Sequence, residues 1–301
     1  AYIHLLDPHE PYQADPTIFE KLFARSIADA VAELPPVESA ALSDYHALTW
    51  LEIFRDDRRL SPKTLRGFSP PAIAHFSHLY DCEIQAIDRE FGRLETYLKE
   101  RNWHDRTVTV VTSDHGEAFG EDGQFYHASY IHDPQTHVPL LIGVPGRSEG
   151  SRVPWTVSQL DIHPTLLELA GVAVQRPSGG APLCSRNGKI TVEQHRPVLT
   201  TLDHLRADPA TWEAGIAFGS LRVRPTEDIF TVHVHDTKGE RPARRVSLTQ
   251  IDNTSDREIR FAAESYFLER QRFNRLAQDI PAPGWGTGTS SDEESLRALG
   301  Y

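Results

Sequence analysis

The sequence predicts an α/β fold: a mixed, mainly parallel sheet flanked by helices, followed by a smaller antiparallel subdomain toward the C-terminus. Three observations predict it. A β-branched apolar run, Val108, Val110 and Val111, ends abruptly in Thr112-Ser113-Asp114-His115-Gly116-Glu117. A buried strand of a parallel sheet delivers polar groups to its carboxyl end in this way. Ahead of it, Ile73 to Trp103 carries apolar residues at Ile73, Phe76, Tyr80, Ile84, Ile87, Phe91, Leu94 and Leu98, the three-to-four spacing of one helix face. Beyond Arg176 the pattern changes to short β-like runs separated by turn residues, which reads as an antiparallel unit.

Taken in order, residues 1–6 are mostly apolar and read as a strand, followed at once by Asp7-Pro8-His9-Glu10-Pro11-Tyr12. Two prolines flank His9, so the backbone there is stiff and non-helical. Residues 16–60 hold helical patterns interrupted at Pro35-Pro36, and Ser61–Pro71 is a loop. The long helix then carries Cys82 as a small buried hydrophobe, with Asp81 and Asp88 facing away from its apolar stripe. Val138–Val144 is another strand, closed by Pro145-Gly146. Asp161 is a good N-cap for a packing helix, with Pro164 in its first turn and Gly171 as its stop. The later strands are expected at Val198–Leu202, Ala214–Val223, Ile229–Val234 and Arg245–Thr249, with a helix over Ser265–Ala277. The resulting division is an α/β core over 1–175, an α+β subdomain over 176–279, and a linker and tail over 280–301.

Composition narrows the function classes. A formal net charge of −12 argues against nucleic acid or an anionic membrane as partner. An anionic substrate would need local positive charge, such as a metal. There is no apolar run long enough for a transmembrane helix. Two cysteines, Cys82 and Cys184, make neither a disulfide framework nor a zinc site. The chain contains no Met and opens in what reads as the middle of a strand, so the natural N-terminus is expected upstream, and any targeting signal with it. Periplasmic or secreted and cytoplasmic locations are both open, as is the oligomeric state.

Two clusters carry chemistry. Asp114 and His115 place a carboxylate and an imidazole side by side at a strand end, a donor pair suited to a divalent cation. The alternative is that Asp114 caps the next element and His115 is a polar loop residue. His9, held rigidly beyond a strand end, is a candidate proton donor or anion contact; the alternative is an inert surface turn. His127, His132 and His137 recur at five-residue spacing, which does not put them on one helix face as a metal trio.

In order, these blocks resemble the sulfatase family of the alkaline phosphatase superfamily. His4-Leu5-Leu6-Asp7-Pro8-His9-Glu10-Pro11-Tyr12 is similar to its His-bearing loop. Tyr80-Asp81 and Glu83, through Asp88, Gly92, Leu94 and Leu98, are similar to its long helix. Thr112 to Glu117 with Gly120-Glu121 is similar to its second metal segment. His137-Val138-Pro139-Leu140-Leu141, Pro145-Gly146 and Asp161-to-Gly171 are similar to the strand and helix that follow. The likeness is dense over residues 1 to about 172 and thin beyond. It implies an alkaline-phosphatase-like α/β core. It also implies that Asp114 and His115 ligate a divalent cation, most often calcium, with manganese, magnesium or zinc as alternatives. His9 would touch the transferred anion and protonate the leaving oxygen. His127 falls where the family keeps a basic residue, often lysine, against the substrate's charged group.

Two departures stand out. The family's formylglycine nucleophile comes from a Cys/Ser-x-Pro/Ala-x-Arg motif, and neither that motif nor a paired-aspartate metal segment occurs here; both are expected upstream. Cys184-Ser185-Arg186 lacks the spacing, and Asp56-Asp57 sits among arginines in a helical pattern. The implied activity is hydrolysis of a small-molecule or glycan sulfate ester by the full-length form, this chain being an incomplete, inactive portion. Two alternatives stand beside it: a phosphoryl-transferring or phosphonate/phosphodiester hydrolase of the same superfamily, and a non-catalytic degenerate binding domain.

Overall fold

The structure, a computed structural model, describes residues 1–48, 60–127, 131–147, 150–173, 179–192 and 196–202. Beyond these it describes the strands of a C-terminal sheet and helical positions at 260, 261, 264–266 and 268. The expected helix over Ser265–Ala277 therefore falls mostly outside the described residues, as does the 280–301 segment. The chain divides into two compact units.

The first unit comprises, among the described residues, 1–48, 60–107 and 116–127. Its helices are α1 (Pro16–Phe23), α2 (Ile27–Ala32), α3 (Pro36–His46), α4 (Pro62–Leu65) and α5 (Pro70–Glu100). Local chemistry sets their starts. Asp15 accepts from Thr17 N at 2.8 Å, Ser26 from Asp29 N at 3.0 Å and Ser61 from Thr64 N at 3.1 Å, and α1, α3, α4 and α5 each begin with proline in the first turn, where its missing N–H costs nothing. Ser69 opens α5, but its own backbone N–H and hydroxyl both go to the Glu38 carboxylate on α3, at 2.7 and 2.6 Å. The start of the long helix is thereby tied to a helix 31 residues earlier.

α1 and α2 pack on α5 around a core built from Tyr12, Phe19, Leu42, Leu65, Phe76 and Leu79. The buried face of α5 is Ala72, His75, Phe76, Leu79, Cys82 and Glu83. The expected stripe is thus rotated: Phe76 is core, but Ile84 is 45% exposed. Asp81 and Asp88 are exposed and Cys82 is buried, as the periodicity implies. The buried positions of the helix all lie in its first half, and apolar residues beyond Ile84 are half-buried or exposed. Residues 1–6, expected as a strand, have no strand pairing, with Tyr2 and Ile3 exposed, because no described strand runs beside them. A short hairpin, β2 (Ala118–Phe119) with β3 (Phe125–Tyr126), completes the unit.

The second unit comprises residues 108–115 and the described residues from 131 to 268. Here β1 (Thr109–Thr112) pairs antiparallel with β4 (Leu140–Gly143), Thr109 opposite Gly143 and Thr112 opposite Leu140. The α/β class holds, but the described strands pair antiparallel where a buried parallel strand was expected around Val108–Val111. With one described neighbour each, β1 is half-buried, and β4 alternates half-buried and exposed positions. A one-turn α6 (Asp133–Thr136) and α7 (Ile162–Ala170) follow, α7 ending on Gly171 at φ 69°. Asp161 is fully buried and does not cap α7 with its side chain. Its carboxylate turns back to Ser158 N at 2.8 Å, and takes Ala181 N at 2.8 Å and both terminal nitrogens of Arg196. Gly180 is obligatory beside it, since a Cβ there would meet the Leu160 carbonyl.

The C-terminal sheet runs β10-β8-β7-β6-β5, all antiparallel, from β5 (Val198–Leu202), β6 (Glu213–Phe218), β7 (Leu221–Thr226), β8 (Ile229–Asp236) and β10 (Arg244–Ser247), with β9 (Gly239–Glu240) paired to β8. The run read as one strand over Ala214–Val223 is a hairpin, with Phe218 opposite Leu221.

The rotated face of α5 is testable. Leu79→Ala removes a side chain with no exposure and should cost about 2–5 kcal/mol, read as a lower urea midpoint of the helical signal at unchanged slope. Ile84→Ala should change stability by less than about 0.5 kcal/mol. Equal losses at the two positions would restore the face that periodicity alone suggested.

Candidate functional site

In the first unit, the loop Asp7–Tyr12 and the hairpin β2–β3 bring two of the expected site residues together. The hairpin register sets one side. Ala118 lies opposite Tyr126 and Phe119 opposite Phe125, so Glu117 and His127 flank the open end of the ladder. The turn that allows this contains Gly120 at φ 110° and Gly123 at φ 70°, conformations that favour glycine. Gly120 N closes it on Gln124 O at 2.8 Å. Tyr126 sits at φ 65° immediately before His127, held there by its buried ring and by its hydroxyl, which donates to Leu60 O at 2.7 Å.

Tyr12 sets the other side. Its ring is 1% exposed and packs edge-on against Phe76 and Tyr80. Its N–H donates to the Tyr45 hydroxyl at 2.8 Å, and its own hydroxyl donates to Glu117 Oε2 at 2.8 Å. Burial, with the Glu117 and Glu10 carboxylates nearby, holds the Tyr12 hydroxyl well above the ordinary phenol range; it is a permanent donor. The Glu117 side chain is 3% exposed, and its two oxygens lie 3.2 and 3.4 Å from His127 Nδ1. The His127 ring meets the His9 ring edge-to-face, centroids 5.0 Å apart at 66°. His9 Nδ1 lies 2.7 Å from Glu10 O. A carbonyl only accepts, so Nδ1 carries the proton and the lone pair of neutral His9 is on Nε2.

Asp114 and His115 belong to the second unit and follow β1. Asp114 Oδ1 accepts from His115 N at 3.0 Å, and Asp114 Oδ2 is 4.0 Å from His115 Nε2. Ser113 Oγ donates to His115 O at 2.5 Å, and Gln159 Nε2 donates to Ser113 O. The two side chains are 53% and 38% exposed. An oxygen and an imidazole nitrogen are chemically suited to a divalent cation, and they fit as two of its ligands. Among the described residues no group of three or more His, Cys, Asp or Glu side chains is arranged to hold a metal. His132 is buried, and His137 ends α6.

Glu117 and Tyr12 were not singled out as site residues from the sequence. The signal for Glu117 was present: glycines at 120 and 123 mark a tight turn, and counting outward from it puts 117 opposite 127. Glu83 was also missed as a buried acid. It lies four positions after Leu79 on the buried face of α5 and accepts from Gln13 N at 2.5 Å. Burial pushes its carboxyl up to about 8, with the Gln13 N–H opposing and Asp7 adding to the rise.

A family model described as Sulfatase matches residues 1–172. Arylsulfatase K of Mus musculus is 30% identical over 152 residues, which cover 48% of this chain and 27% of that protein. Arylsulfatase K of Xenopus laevis is 38% identical over 116 residues, covering 38% of this chain and 22% of that protein. The chain thus spans about a quarter of the length of the curated relatives it matches. A solved structure of a 2-O GAG sulfatase is similar in fold, with a TM-score of 0.51 at 18% identity, covering 93% of this chain and 56% of that one.

Glu83 gives a pH dependence with a definite sign. Its folded-state value, about 8, lies above the ordinary 4.5, so the folded chain retains a proton that the unfolded chain has released. The stabilising contribution is complete below pH 4.5 and is lost as pH rises to about 8. Glu83→Gln keeps an acceptor for Gln13 N without the ionisation. Thermal midpoints at pH 5, 7 and 9 should show the variant gaining on the parent as pH rises. A constant difference across that range would mean that Glu83 ionises normally.

Proposed function

Because the chain belongs to the sulfatase family, we propose that its chemistry is the hydrolysis of a sulfate ester, carried by a small molecule or a glycan. The observation that carries the reading is the His9–His127 pair at 5.0 Å, in which His9 Nδ1 is committed to a backbone carbonyl and His127 Nδ1 faces a carboxylate. That arrangement supports a reading in which both rings exchange protons through Nε2. Protonated His9, whose second N–H is on Nε2, hands that proton to the oxygen of the departing alcohol and is left neutral. Protonated His127 donates from its Nε2–H to the sulfate oxygens.

Asp114 and His115 would supply two ligands to a divalent cation, calcium ahead of manganese, magnesium or zinc. When bound, such an ion supplies charge neutralisation for an ester whose negative oxygens repel attack. The nucleophile is not one of the chain's cysteines. Both are buried, and burial pushes the Cys82 thiol up to about 11 and raises Cys184 as well, the opposite of what an attacking thiolate needs. A formylglycine carried on a Cys/Ser-x-Pro/Ala-x-Arg segment is the expected attacking group.

Two measurements test this. Calorimetric titration of the 301-residue chain with calcium should show weak binding that Asp114→Ala abolishes; tight binding, or sulfate-ester turnover by this chain alone, would overturn the two-ligand assignment. In the protein read from the complete reading frame, Asp114→Ala should cut turnover of an aryl sulfate by more than the roughly 10–100-fold that losing an outer-shell partner costs, with the fold intact by circular dichroism. The same aryl alcohol esterified with sulfate, phosphate and phosphonate should be cleaved fastest as the sulfate. Preference for the phosphonate would move the protein to the phosphorus branch of the superfamily.

A further inference from the structure

We infer that Glu117 is a positioning residue for His127, fixing it in the Nδ1–H tautomer, and that Tyr12 locks the Glu117 carboxylate for this task. The inference rests on the role proposed above for His127 and assigns a device behind it. Three constraints converge on the pair. The hairpin ladder ends on Ala118 opposite Tyr126, so Glu117 and His127 are the two residues that flank its open end. The Tyr12 hydroxyl, held in the buried aromatic cluster, donates to Glu117 Oε2 at 2.8 Å and so fixes the carboxylate's rotation. Glu117 Oε1 is then left 3.2 Å from His127 Nδ1. The Glu117 side chain is 3% and the His127 side chain 12% exposed, so solvent competes poorly for that hydrogen bond.

The chemistry gives the pair a consequence. A carboxylate accepts and does not donate, so the nitrogen facing it must carry the proton. Neutral His127 then has its lone pair on Nε2, and protonated His127 has its second N–H there. A carboxylate behind an imidazole sets which ring nitrogen exchanges protons and aims the ring. His9 reaches the same tautomer by a different partner, the Glu10 carbonyl. Two edge-to-face imidazoles would therefore present the same nitrogen, one set by the backbone and one by Glu117.

The test reads the tautomer and not the activity. The 301-residue chain, labelled with nitrogen-15 histidine, is examined by long-range proton–nitrogen correlation at a pH where His127 is neutral, its signals assigned by their absence in His127→Asn. The expected result is a pyrrole-type Nδ1 and a pyridine-type Nε2 in the parent. Glu117→Gln should retain that pattern through its carbonyl, and Glu117→Leu should shift the population to mostly Nε2–H. Tyr12→Phe should loosen it, giving a mixed population. An Nε2–H tautomer in the parent overturns the inference even if Glu117→Leu fails to fold, and so does a Glu117→Leu spectrum unchanged from the parent. If the tautomer pattern holds while the sulfate ester is not cleaved, the positioning stands and the proposed reaction falls.

Discussion

The hydrogen bond from the Tyr12 hydroxyl to Glu117 is the contact on which the first unit depends. It joins residues 105 apart in sequence and does so where both side chains are buried, so solvent competes poorly for the carboxylate. A hydrogen bond to a charged group is worth about 1.5–3 kcal/mol net, and leaving its buried acceptor unsatisfied costs more than the bond supplies. The ring that carries the hydroxyl is wedged against Phe76, Tyr80 and Phe119, which belong to α5 and β2. One side chain therefore fixes the end of the His9 loop, the long helix and the start of the hairpin together. The positions of His9 and His127 follow from that junction.

Much of this was legible in the sequence where one physical signal dominated. Prolines at 8 and 11 do keep His9 out of a helix, Gly171 does end α7 in a left-handed turn, and Cys82 is buried. What was not legible depended on partners far along the chain. Three-residue periodicity gives the width of a helix face but not which neighbours meet it, so Ile84 was assigned to a core that the other helices do not reach. Asp161 has the residue type and place of an N-cap, and still its carboxylate is claimed by Arg196, 35 residues away. Strand composition around Val110 fitted a strand, but the direction of its partner is a tertiary fact. Glu117 looked like the tail of a motif because its importance comes from a register that only the closed hairpin displays.

The buried polar residues of α5 show how the same core limits pH. His75 Nε2 lies 3.0 Å from His46 Nε2, a pair in which one imidazole donates and the other accepts. The accepting ring must be neutral for that, and burial lowers both, His75 to about 4 with His46 and His78 adding to the effect. Because the unfolded chain protonates these rings at ordinary values, acid draws the unit apart: the contribution is whole above about 6.5 and shrinks as pH falls toward 4. Glu83, on the same face of the same helix, acts in the opposite sense, since its raised value makes alkali the destabilising direction. Above 6.5 only the acid's slope remains, and below 4.5 only that of the histidines. In the interval between, the two slopes oppose each other. The first unit should therefore have its stability maximum inside that mildly acidic interval, set by buried groups that must both be uncharged, and not by the chain's net charge.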